Sequence, residues 1–185
     1  MTSLWLAEVP IETPRLALRH LDPGDAPRLA RYVGETGVAR MLALVPLPYA
    51  EADAEAFIAG MRASNAAGRG LGLAVVEKHD PGALIGVMSF AGVLPVVEIG
   101  WWLGRPYWGR GFATEAAGAL LKVAFLEPRL ERVVAGAFHD NPASLHVQDK
   151  LGFTRTGLSQ RHNLARGGLV RHIDTEITRP MRPAR

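Results

Sequence analysis

Apolar residues recur along this chain with two different periods, and the switches between them divide it into elements. Arg15-Leu-Ala-Leu-Arg-His20 alternates and predicts a strand. Asp22-Pro23 then offers an N-cap and a first-turn proline, and Leu29, Tyr32 and Val33 give the next helix an apolar face. Pro46 and Pro48 interrupt the pattern. A second helix opens with Glu51, Asp53 and Glu55, which favour the positive end of its dipole. It turns Phe57, Ile58 and Met61 inward and stops at Gly68 and Gly70. Residues 71–77 and 83–90 predict an antiparallel pair joined by the turn His79-Asp-Pro-Gly82.

A further strand over 96–103 leads through Tyr107-Trp-Gly-Arg-Gly-Phe-Ala-Thr-Glu115 into a helix over 113–126. Ala113, Ala116, Ala117, Leu120, Leu121 and Ala124 line one side of that helix, a stripe small enough to pack closely on a sheet. Residues 132–138 predict a strand. Asn141-Pro142 opens a short helix that Gly152 closes, and strands near 153–158 and 169–178 flank a loop holding Gly167-Gly168. Strands adjacent in the chain are mostly antiparallel, and only the connection through the 113–126 helix requires a parallel crossover. The order predicts an α+β fold with a mixed, mostly antiparallel central sheet flanked by helices. A single domain spanning 1–185 is expected, with its core over about 13–178.

Composition narrows the chemistry. Hydrophobic residues make up 48%, enough for a sizeable core, yet no apolar run approaches the roughly 18 residues that span a bilayer. The first eight residues lack the basic start of a signal peptide, so a cytoplasmic chain without a membrane partner is expected. The absence of cysteine excludes a cysteine acyl-enzyme, thiolate metal sites and disulfides. The histidines show no H-E-x-x-H or comparable pair, so no metal is expected. A net charge of +3 is too small to argue for nucleic acid. The late arginines (161, 166, 171, 179, 182 and 185) read as a solvated face and tail.

Gly109 and Gly111 stand at a strand-to-helix junction, where backbone N–H groups converge at the positive end of a helix dipole. That suits a diphosphate. Gly109-Arg-Gly-Phe-Ala-Thr114 imitates a dinucleotide fingerprint, but the antiparallel strands before it do not fit a dinucleotide fold. A Walker loop is excluded because Gly104 to Gly109 is followed by Arg-Gly.

Four segments in register resemble the GNAT superfamily of N-acetyltransferases, within it the branch that acetylates N-termini of ribosomal proteins. They are Thr13-Pro-Arg-Leu-Ala-Leu-Arg19, Glu98-Ile-Gly-Trp-Trp-Leu103, Tyr107-Trp-Gly-Arg-Gly-Phe-Ala-Thr-Glu-Ala116, and Asn141-Pro-Ala-Ser144 with Lys150-Leu-Gly-Phe153. The resemblance implies acetyl-CoA as donor and an amine as acceptor. It places the pyrophosphate on the backbone of Gly109, Arg110, Gly111, Phe112, Ala113 and Thr114. The pantetheine arm would lie between the strands 96–103 and 132–138, pairing with main chain near Trp101, Trp102 and Leu103 as an added strand would. The superfamily pattern Gln/Arg-x-x-Gly-x-Gly/Ala has Trp108 in its first position here, which leaves Arg110 as the expected charged partner.

Acetyl transfer needs a neutral amine and a proton for the leaving thiolate. An α-amine has a pKa of about 7.7–8.0 against about 10.4 for lysine, so a modest base suffices for an N-terminal acceptor. Glu98, a carboxylate in an apolar strand, is the candidate base, or else an exposed residue on a half-buried strand. Strict alternation puts Glu98, Gly100 and Trp102 on one face unless a bulge at Gly100 intervenes. His139 is the alternative base. The resemblance gives Ser144 the role of proton donor to the thiolate, and Ser144 also fits a capping role. Asn141 fits both an N-cap and a coenzyme contact. Glu115 reads as structural, and Trp101, Trp102 and Trp108 as core and cleft wall. Asp174 and Glu176 suit either a cationic substrate or solvent. The expected function is N-acetyl transfer to a peptide or protein α-amine by direct attack in a ternary complex. A small-molecule amine such as an antibiotic, a non-catalytic acetyl-CoA-binding module and a homodimeric state are compatible with the same residues.

Overall fold

The computed structural model describes residues 9–179; the first eight residues, Arg182 and Arg185 lie outside them. The strands are β1 (Ile11–Glu12), β2 (Leu16–His20), β3 (Gly70–Glu77), β4 (Asp80–Val93), β5 (Val96–Leu103), β6 (Arg132–Phe138), β7 (Thr154–Asn163) and β8 (Gly168–Thr178). The helices are α1 (Ala26–Val33), α2 (Thr36–Ala39), α3 (Glu51–Ala66), α4 (Phe112–Ala124) and α5 (Pro142–Leu151). One open sheet runs β1-β2-β3-β4-β5-β6-β8-β7, with β5 and β6 its parallel pair. This is the mixed, mostly antiparallel α+β architecture that the order of elements predicts.

Both faces of the sheet are covered, and the burial pattern follows from that. α4 sets Phe112, Ala116, Ala117 and Leu120 against Leu16, Leu18, Leu73, Val75, Ile85, Val97 and Ile99. On the opposite face α1 and α3 set Leu29, Tyr32, Val33, Ala54 and Ile58 against Ala74, Leu84 and Val87. Residues 71–76 are therefore buried at every position, and the strand reads as a continuous apolar run. The small residues of α4 let it lie close to the sheet.

The structure departs from the sequence expectation in several places. The β3–β4 hairpin turns at Lys78 and His79, since Glu77 already pairs with Asp80. A register shift between Val75 and Glu77 absorbs the difference, so Asp80-Pro81-Gly82 belongs to β4. β1 and α2 are too short to show a period and were not anticipated. β7 reaches Asn163, well past 158; its outward positions are exposed almost throughout, so burial imprints no alternation on it. The last strand, β8, lies between β6 and β7, which leaves β7 at the sheet edge.

Leu120 is fully buried between α4 and the sheet. Leu120→Ala is expected to cost about 2–5 kcal/mol in urea-induced unfolding, the transfer and cavity terms together.

Candidate active site

A cleft opens where two parallel strands part. β5 pairs with β4 without a bulge from Val96 to Leu103, but with β6 only at Val96, Val97 and Glu98. On its far side β6 stays paired with β8 along its whole length. Beyond Glu98 the two strands therefore diverge, and the β6-facing edge of β5 has no ladder partner among the described residues. The resulting cavity is about 460 Å³, walled by Trp101, Trp102 and Leu103 on one side and Gly136, Ala137 and Phe138 on the other. Because no bulge interrupts β5, Glu98, Gly100 and Trp102 do share a face.

The glycine loop closes one end. Gly109 and Gly111 hold φ of 72° and 78°, left-handed values that disfavour any side chain, and Gly111 is the N-cap of α4. Gly109, Gly111, Phe112, Ala113 and Thr114 line the cleft. Trp108, 46% exposed, donates its indole N–H to the Leu103 carbonyl at 2.7 Å and pins the loop to the end of β5. The Arg110 guanidinium faces elsewhere: it pairs with Glu77 at 2.9 Å and stacks 4.3 Å above the Phe112 ring.

Behind this loop Glu115 gathers donors from the start of the chain. Its Oε1 accepts from Thr13 Oγ1 at 2.6 Å and Arg15 N at 2.9 Å, and its Oε2 from Arg15 Nε at 2.7 Å. Arg15 Nη1 donates onward to the Arg110 carbonyl at 3.0 Å. Burial raises the Glu115 carboxyl, but the bonds from Thr13 and Arg15 outweigh it and hold the group below its ordinary range.

The far wall carries Asn141 and Ser144 in the first turn of α5. Asn141 is the N-cap, its Oδ1 accepting from Ser144 N at 3.1 Å. The Gln148 amide, almost wholly buried, donates to Ser144 Oγ at 3.3 Å and to the Gly136 carbonyl at 3.1 Å. Gln148 in turn accepts from Thr175 Oγ1 at 2.8 Å, which fixes the orientation of its amide. With Gln148 as donor, the Ser144 hydroxyl keeps its own proton free to donate.

A polar cluster occupies the remaining side. Glu98 Oε1 pairs with Arg161 Nη1 at 2.7 Å. Arg161 Nη2 lies 3.6 Å from Asp174 Oδ1, which also accepts from Ser159 Oγ at 3.1 Å and meets His172 Nδ1 at 2.8 Å. Burial lowers the His172 pKa from its ordinary value, against the opposing pull of Asp174. Burial raises Asp174, yet the bonds from Ser159 and His172 bring it below its usual range. Glu176 pairs with Arg132 instead, and His139 is exposed, its main-chain N–H bonded to the Arg171 carbonyl. Val38, Met41, Leu42 and Ala43 roof this end. Asn163 holds them, donating to the Arg40 and Leu42 carbonyls at 3.0 and 3.1 Å, and Arg166 joins Arg40 on Asp140.

Sequence reasoning missed the roles of Arg161 and His172. The late arginines are not simply a solvated face: Arg161 and Arg166 are anchored by carboxylates, and Arg179 donates to the Phe125 and Leu130 carbonyls. For His172 a signal existed, since residues two apart on a strand share a face, as His172 and Asp174 do.

Residues 15–154 match the family model of the GNAT acetyltransferase domain. The chain therefore belongs to the GNAT family and is an acetyltransferase. Among its relatives is the uncharacterized N-acetyltransferase YnaD of Bacillus subtilis, 30% identical over 153 residues, covering 82% of this chain and 86% of the relative. Two solved structures share its fold at 20% identity. One is the ribosomal alpha-N-protein acetyltransferase RimL in complex with coenzyme A (TM-score 0.79, covering 92% of this chain and 97% of that one). The other is the microcin self-immunity acetyltransferase MccE in complex with acetyl-CoA and AMP (TM-score 0.80, covering 92% and 99%). Among the described residues, no helix is long and apolar enough to cross a membrane.

Glu115→Gln is expected to destabilise the fold by about 1–3 kcal/mol at pH 7, the range for charged hydrogen bonds. A depressed carboxylate stabilises above its unfolded pKa of about 4.3 and loses that contribution as pH falls through the folded value. Urea unfolding of Glu115→Gln should therefore show a shallower loss of stability below about pH 4.3 than the wild type.

Proposed function

We propose that this enzyme, acting in the cytoplasm, transfers the acetyl group of acetyl-CoA to a peptide or protein N-terminal α-amine. Both substrates would be bound together, and the amine would attack directly. The observation that carries this reading is the unpaired edge of β5, which runs from the left-handed glycines to the cluster around Glu98. A pantetheine arm carries amides that can pair with such an edge, and the loop N–H groups at the α4 N-terminus suit its diphosphate. RimL, which shares the fold, is described in complex with coenzyme A. Arg110 contributes its main-chain N–H to this loop while its side chain serves Glu77.

The acceptor end fits a cation. Glu98, Asp174 and Arg161 together leave one net negative charge, against which a single ammonium can dock. Glu98 Oε1 is held by Arg161, and Oε2, which has no hydrogen-bond partner among the described residues, would meet the incoming amine. The chain has no cysteine to carry an acetyl group, consistent with direct attack. Ser144, whose hydroxyl accepts from Gln148, would give its proton to the departing thiolate, and its site at a helix N-terminus, which favours negative charge, supports that role. At neutral pH about a tenth of an α-amine is already unprotonated, whereas a lysine side chain would cost about 3.5 kcal/mol more.

Thiol release measured with peptides and with small amines tests the acceptor class. N-terminal peptides should turn over, and turnover of small amines alone would replace this reading. Ser144→Ala should lower kcat by about 10²-fold while calorimetric acetyl-CoA affinity is retained. Glu98→Gln should raise the acceptor KM by roughly tenfold, equivalent to about 1.4 kcal/mol, and leave the acetyl-CoA KM in place.

A further inference from the structure

We propose that His172, oriented by Asp174, is the base that takes the proton from the acceptor amine. This rests on the acetyl-transfer reading above and adds a residue and a proton path to it.

The ring sits in a place kept open for it. On β8, His172 lies opposite Phe138 of β6 and meets that ring edge-on at 5.6 Å. A Cβ at Gly136 would collide with the imidazole Cε1 and with the Ile173 carbonyl, so β6 has no side chain where the imidazole stands. The side chain is 8% exposed, yet it lines the same cleft as Glu98, Arg161 and Ser144. Burial and access to the cleft thus coincide in one imidazole.

The second nitrogen is the reactive one. An ionised carboxylate accepts and does not donate, so Asp174, 2.8 Å away, assigns the hydrogen to Nδ1 and leaves the lone pair on Nε2. Asp174 is itself fixed by Ser159 from β7. Among the described residues, Nε2 has no hydrogen-bond partner. Three charged groups act on the ring: Asp174 on its own strand, Arg161 on β7 and Glu98 on β5. His146 and Lys150 of α5 border the same cleft. Burial is the largest influence and favours the neutral imidazole, with Arg161 acting in the same direction. A neutral imidazole at pH 7 can accept a proton.

The step balances as follows. The ammonium gives one proton to His172 Nε2, and the freed lone pair forms the N–C bond to the thioester carbonyl carbon. The C–S bond breaks, and Ser144 gives its hydroxyl proton to the sulfur. The new amide nitrogen sheds its second proton to restore Ser144. His172 then releases its proton to solvent, so the net products are the acetylated amine, the free thiol of CoA and one proton. Asp174 is a positioning residue, and Glu98 docks the ammonium.

The test uses the full chain, acetyl-CoA and two acceptors: a hexapeptide with a free N-terminal serine, and benzylamine. His172→Gln should lower kcat by about 10²-fold or more, keep the acetyl-CoA KM, and move the acid limb of the kcat/KM profile for the peptide up to its own α-amine, about 7.7–8.0. His172→Ala should regain activity with added imidazole, which a merely structural histidine would not allow. Nitrogen NMR of the wild-type imidazole should show the neutral Nδ1–H tautomer at pH 7, and Asp174→Asn should change that tautomer. His172→Gln with wild-type kcat and an unshifted acid limb would overturn the proposal. So would an imidazole protonated on both nitrogens at pH 7. If neither acceptor is acetylated by the wild type, the acceptor assignment fails, while the NMR titration still decides the state of the base.

Discussion

The parallel ladder between β5 and β6 ends at Glu98 and Val134, and the cleft exists because each strand has a stronger commitment on its other side. β5 is zipped to β4 along its whole length, and β6 to β8. Sheet twist then turns the two halves apart once the shared pairs run out. A strand edge left unpaired inside a protein is costly unless something covers it. Here the uncovered edge faces a cavity whose two ends carry different chemistry, backbone N–H groups at one and carboxylates at the other.

Two sets of long-range polar contacts hold the ends of that cavity. Glu115 draws Thr13 and Arg15 onto the first turn of α4, so the edge of the sheet braces the glycine loop. Asp140 draws Arg40 and Arg166 together, while Asn163, fully buried, supplies two hydrogen bonds to the segment after α2. Arg166 lowers the Asp140 carboxyl pKa, so this clamp stays charged at neutral pH. Loops tied in this way lose less entropy on ligand binding than free ones.

Much of the fold was legible because burial imposes periods on sequence. The stripe on α4 and the unbroken apolar run of β3 reflect packing on one face and on two faces respectively. β7 was legible only in part, since an exposed edge strand carries no such imprint. β1 and α2 are shorter than any period that could mark them. Within the site, the glycine loop and the Asn141–Ser144 turn were readable as local motifs, because their residues are neighbours in the chain. The partners of Glu98 were not, since Arg161 lies 63 positions away on a strand whose place in the sheet depends on β8 inserting beside β6.

The sequence by itself determined the family, the α+β class, the glycine junction and the exclusion of cysteine chemistry, all of which depend on local order or on composition. Tertiary structure alone decided which charges meet. It turned the Arg110 side chain to Glu77 and away from the cleft, gave Glu98 an arginine partner, and buried His172 against Gly136 beside Asp174. Pairing across a sheet and burial in a cleft arise from contacts between residues distant in the chain, and no local period encodes them.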